Sequence, residues 1–164
     1  MFDKLMSAES LSLIHKIEEP FSTLPHLPQG ITQFLLKIAP WLALLSGIIG
    51  LITGVALGVS IPVYFSQSLM LLVVTVLTVI ITIVNSILLL HAFTPLKNRE
   101  LKGWVFLFWS EVLGIIESIL NVFHGGSAVG TIIGALIILY ALFEIKPFYN
   151  GVATVVEKVK KTLS

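Results

Sequence analysis

The chain has 164 residues and a formal net charge of +1, with 56% of its residues hydrophobic and only 12% charged. A soluble domain carries about twice that share of charge, so the mean hydropathy of +1.01 makes lipid the solvent for much of this one. A near-neutral balance without a long basic run excludes nucleic acid as a main partner, and the absence of cysteine excludes disulfides, thiolate catalysis and thiolate metal sites.

Residues 1–19 read as an amphipathic helix. Phe2, Leu5, Met6, Leu13, Ile14 and Ile17 recur near helical spacing, with Asp3, Lys4, Glu9, Lys16 and Glu18 elsewhere. Such a helix lies on the membrane or on the rest of the protein. The stretch has no continuous apolar core and no small-residue cleavage pattern, so no cleaved signal peptide is expected and the first span doubles as the insertion signal. Residues 20–37 read as a proline-rich linker and lead-in, because Pro20, Pro25 and Pro28 interrupt any helix.

A four-helix transmembrane domain is expected over 38–146, with spans at about 38–62, 69–93, 103–123 and 127–145. Each run has about the 20 residues that a helix needs to cross a hydrocarbon core about 30 Å thick. Pro40 fits a first helical turn, and Trp104 and Trp109 suit the interfacial zone where the third span begins. Residues 147–164 form a basic amphipathic tail. Val152, Val155, Val156, Val159 and Leu163 share helical spacing, while Lys158, Lys160 and Lys161 take other faces. Those lysines either lie along anionic headgroups, at about 1 kcal/mol each, or simply fix topology. The fold class is therefore all-α: a four-helix bundle flanked by two interfacial helices.

Small residues form two stripes. Ser46, Gly50, Gly54 and Gly58 recur four apart on the first span, and Gly126, Gly130 and Gly134 do so on the fourth. Stripes of this kind let helix backbones approach closely where no hydrophobic effect operates between helices. They predict packing within the monomer, with the first span against the fourth as one arrangement, or an interface in a homo-oligomer or larger membrane complex.

The third span alone places acids deep in the membrane. Glu111 and Glu117 lie about 10 and 20 Å from Trp104 at 1.5 Å per residue. Ser110, Gly114, Glu117 and Asn121 share a stripe, and the second span carries Thr75, Thr78, Thr82 and Asn85. In an antiparallel pair Asn85 is expected level with Glu111, and Thr78 near Glu117. No Lys or Arg lies inside a span, so each acid is expected to be protonated and hydrogen-bonded, to await a cationic partner helix, or to carry a proton or bind a cation.

Other chemistry is not expected. His91 and His124 fall at opposite ends of their spans and cannot clamp one haem iron. His15 and His26 belong to the N-terminal region, and no zinc cluster, nucleophile–base pair or phosphate loop occurs. The expectation is a non-enzymatic protein without cofactor or metal.

Leu24 to Gly30 (Leu-Pro-His-Leu-Pro-Gln-Gly), Lys37 to Leu44 (Lys-Ile-Ala-Pro-Trp-Leu-Ala-Leu), Gly103-Trp104 and Leu142 to Tyr149 (Leu-Phe-Glu-Ile-Lys-Pro-Phe-Tyr) carry a likeness. Together they resemble a group of small four-helix membrane proteins of bacteria with reduced genomes, whose last helix often ends Leu-Phe-Gln-Ile-Arg before tyrosines. Here Glu144 stands at the Gln position and Pro147 intrudes. The resemblance implies a bacterial inner-membrane protein and carries over no functional residues. The leading functional expectation is an accessory or assembly subunit acting through helix–helix packing. The alternative is a small proton- or cation-coupled channel or transporter subunit using Glu111 and Glu117, supported by Asn85 and Asn121.

All Lys and Arg sit in the two tails or in 94–102, and the other two connectors have none. The positive-inside rule then predicts both tails and that loop on the cytoplasmic side. Because the chain has no cysteine, single-cysteine variants test this cleanly. In intact cells an impermeant maleimide is expected to label Ser66→Cys, and to label Asn98→Cys only after permeabilisation.

Overall fold

The computed structural model describes residues 5–65, 68–122 and 128–149. Five helices run in chain order: α1 (Ala8–Glu18), α2 (Gln29–Phe65), α3 (Leu69–Lys97), α4 (Leu101–Val122) and α5 (Ala128–Ile145). Among the described residues there is no strand, and four of the helices are long and apolar enough to cross a membrane. The fold is an all-α bundle, and its composition is that of a membrane protein.

Helix α1 opens on Ser7, whose hydroxyl accepts the Ser10 N–H at 3.3 Å. One face settles on the bundle rather than standing free. Ile14 is buried, and Trp109 Nε1 donates to Ser10 Oγ at 3.0 Å. Leu13 and Ile17 stay exposed at the flank of that face.

Helix α2 is longer than its apolar run. It starts at Gln29, because the Pro28 carbonyl already accepts from Ile31 (2.9 Å) and Thr32 (3.1 Å). Pro40 therefore lies well inside the helix and not in its first turn. Helix α3 likewise runs through Pro95 to Lys97, taking in residues that read as loop. It closes with the N–H of Glu100 on the Pro95 carbonyl (2.9 Å) and that of Arg99 on the Leu96 carbonyl (3.1 Å). This pair of bonds needs a left-handed residue at the corner, and Arg99 supplies it at φ 61°.

The glycine face of α2 packs on α3 and not on α5. Ser86 of α3 fills the notch at Gly50, and a Cβ at Gly47 or Gly54 would meet Leu90 at 2.9 Å or Ile83 at 3.0 Å. Gly58 faces Val79 at an ordinary 3.9 Å. Ser46 points away from this interface, which Gly47 continues in its place. On α5, a Cβ at Gly130 or Gly134 would meet nothing within 4 Å, and Gly126 lies outside the described residues.

The densest core sits at the end of the bundle bearing the 94–102 loop. Trp104, Phe106, Phe108, Leu142, Phe143 and Tyr149 are buried there. Trp104 is wholly buried within the protein, and its Nε1 donates to the Leu142 carbonyl at 2.6 Å. The turn into α4 is so tight that a Cβ on Gly103 would meet the Leu96 nitrogen at 2.5 Å and the Pro95 carbonyl carbon at 2.8 Å. Backbone atoms cannot swing aside as a side chain can. Gly103→Ala is expected to cost about 1–3 kcal/mol in thermal unfolding in detergent. Gly130→Ala, which meets nothing, is expected to be neutral or to gain up to about 1 kcal/mol from helix propensity.

Candidate functional site

Two strands of polar side chains face each other across α3 and α4. On α3, Thr75 and Thr78 give their hydroxyls to the carbonyls one turn back, Leu71 (2.8 Å) and Val74 (2.9 Å), and Ser86 does the same to Thr82 (2.6 Å). Such back-bonding satisfies a hydroxyl in an apolar setting from within its own helix. Two polar side-chain bonds join α3 to α4 among the described residues. Thr82 Oγ1 donates to Glu117 Oε1, and Ser110 Oγ donates to Asn85 Oδ1 at 2.5 Å.

The two acids thus differ in kind. Glu117 is held by Thr82, one turn along α3 from the expected Thr78, although Thr78 lines the same cavity. Glu111 is half-buried, and among the described residues its carboxyl has no hydrogen-bond or ion-pair partner. Asn85 is close by but is engaged by Ser110, the neighbour of Glu111. The acid expected level with Asn85 is left over.

Glu111 faces a cavity of about 440 Å³ in the half of the bundle nearer the 94–102 loop. Its walls come from α2 (Leu35, Ala39, Leu42), α4 (Leu107, Gly114) and α5 (Ile138, Ala141), and its polar lining is Ser46, Asn85, Ser110 and Glu111. A second cavity of about 280 Å³ lies between α4 and α5 and also touches Glu111. A third, about 410 Å³, takes in Glu117, Ser118 and Asn121 at the far half. Gly114 borders all three, and a Cβ there would meet nothing within 4 Å. The cavities therefore follow the polar stripe of α4 along much of its length.

Of the residues singled out from sequence, Glu111, Asn85 and Ser46 meet at the first cavity, whereas Glu117 and Asn121 meet at the third. Gly50, Gly54 and Gly58 belong to the α2–α3 contact, remote in role from the acids. Lys158, Lys160 and Lys161 lie outside the described residues. Sequence reasoning missed the apolar walls. The small pair Ala39 and Ala43 on α2 and Ala141 on α5 were the available signal for space between those helices.

A separate polar cluster ties the N-terminal segment to the end of α5. Glu144 accepts from the Leu27 N–H (3.1 Å) and lies 2.9 Å from His26 Nδ1. Lys146 Nζ pairs with Glu18 at 2.5 Å and lies 5.3 Å over the Trp104 ring. Phe21 packs tilted against Phe143 with ring centroids 5.2 Å apart, and the Tyr140 hydroxyl donates to the Pro25 carbonyl. Among the described residues no three His, Asp or Glu side chains converge as metal ligands do.

No protein-family model, curated protein or solved structure matches the chain. The unequal surroundings of the two acids have a measurable consequence. Thr82→Val removes the donor to Glu117 and is expected to lower stability in detergent by about 1 kcal/mol. Glu111→Gln removes no bond and is expected to change it by less than about 0.5 kcal/mol.

Proposed function

We propose that this chain is a non-enzymatic multi-pass membrane protein that holds a cation within its own bundle, as a small proton- or cation-coupled channel or carrier subunit. The observation that carries this reading is the Glu111 carboxyl, unpartnered among the described residues at the edge of a cavity. An ionisable group in a span costs a few kcal/mol or more and is kept where it has work to do. Structural glue accounts for Glu117, which accepts from Thr82, and leaves Glu111 unexplained. The charge distribution of the connectors favours both tails on the cytoplasmic side, and the resemblance to small bacterial membrane proteins favours the inner membrane.

A second reading, an assembly subunit, draws on α5. Gly130 has open space before it, and Val129, Ile133 and Ile137 are exposed on the same helix, whereas Gly134 lines the cavity between α4 and α5. The exposed face around Gly130 is available to another copy or to a larger complex. Its counterpart on α2 is already used by α3, so this reading rests on one helix.

Proton flux after a pH jump across proteoliposomes separates the two. For the wild type we expect flux above that of protein-free vesicles, lost in Glu111→Gln and retained in Glu117→Gln. Background leak in all three removes coupled transport by the isolated chain and favours the assembly reading.

A further inference from the structure

The volume and lining of the cavity beside Glu111 narrow the cation it takes. Pockets that hold small molecules run from about 300 to 1,000 Å³, and this one is about 440 Å³. A partner's transmembrane helix is too large: two turns of a cylinder about 10 Å across already fill about 800 Å³. A hard metal ion needs about six oxygen ligands. The cavity offers only Ser46, Asn85, Ser110 and Glu111, and Asn85 Oδ1 is occupied by Ser110. An anion finds no Lys, Arg or His on the walls. A lipid tail suits the apolar walls but leaves the carboxyl without a partner.

One chemistry satisfies both the apolar lining and the acid. We propose that the cavity binds a lipophilic organic cation, its apolar body against Leu35, Ala39, Leu42 and Ile138 and its charge at Glu111. A quaternary ammonium, phosphonium or protonated amine with aryl or alkyl groups fits this description. Such a cation loses little on leaving water, because its charge is spread and weakly hydrated, and the carboxylate supplies the charge complement. Asn85 and Ser110, bonded to each other, lie on the α3–α4 side with the acid, so the polar part of the ligand is directed to that side. The proposal rests on the reading that Glu111 serves a cation, and it names the class.

Equilibrium dialysis of the full chain in lipid nanodiscs tests it, with tetraphenylphosphonium as the probe and tetraphenylborate as an anion of the same shape. We expect saturable binding of the phosphonium, none of the borate above protein-free discs, and an affinity at least about tenfold weaker in Glu111→Gln, as the loss of a charged partner requires. Gly114→Leu keeps the carboxyl but fills the space where the three cavities meet, and it is expected to weaken binding as much. Glu117→Gln serves as the folded control, within about twofold of wild type. Equal binding of the two probes, or undiminished phosphonium binding by Glu111→Gln, identifies an apolar crevice for lipid and overturns the proposal. Glu111-dependent proton flux without phosphonium binding overturns it too, while leaving the coupled-cation reading intact. Glu111-dependent phosphonium binding without flux supports the site and sinks the transport reading instead.

Discussion

In hydrocarbon a polar group finds no water, so each must be answered from inside the bundle or from a wet cavity. Several hydroxyls of the spans obey this by local means. Ser60 turns back on Ala56 (3.1 Å), and Thr75, Thr78 and Ser86 turn back in the same way on α3. Two others reach between helices: Thr82 to Glu117, and Ser110 to Asn85. These two bonds set the register of α3 against α4. The position of Glu111 follows from that register, since Ser110 spends its hydroxyl on Asn85 and turns the next residue toward the space between α2 and α5.

Different forces hold the other helices. Helix α2 meets α3 through glycine, with the Ser86 side chain in the notch of Gly50, so dispersion at close range replaces the polar bond. Helix α5 is anchored at one end, by the Trp104 hydrogen bond to Leu142 and the burial of Phe143 and Tyr149. Beyond that anchor Ile132, Ile133, Leu136 and Ile137 are exposed. The anchored end also receives the N-terminal segment. There the His26 side chain is 84% exposed, and exposed pairs contribute little. The Leu27 backbone N–H on Glu144 and the Phe21–Phe143 contact are the firmer part of that tie.

Much of this architecture was legible in the residues. The four apolar runs, the all-α class and the facing of α3 and α4 all follow from length, hydropathy and periodicity. The differences have specific causes. Pro40 and Pro95 read as helix boundaries because proline withholds a donor, yet in each case the flanking turns supply enough bonds for the helix to continue. Trp104 reads as interfacial by its type, and the Leu142 carbonyl satisfies its N–H and permits burial within the protein. The stripe on α2 announced a close contact without naming the partner, since small residues carry no information about what approaches them. The division between Glu111 and Glu117 was not readable at all. It depends on which of several threonines, one turn apart, reaches across, and that is decided by register to within a few ångströms.

Pro40 has one more effect. It withholds the N–H that would otherwise close a turn on the Leu36 carbonyl, and it lies among Leu35, Ile38, Ala39 and Leu42, which wall the cavity on the α2 side. Beyond it, from Gly47 to Gly54, the same helix is clamped on α3 at van der Waals distance. The wall is thus stiff where it is glycine-bound, level with Asn85, and compliant nearer the 94–102 loop, where Trp41 meets Phe93. Bending α2 at this point sacrifices no hydrogen bond that the proline has not already removed, so the width of the chamber can change while the α3–α4 register stays as it is.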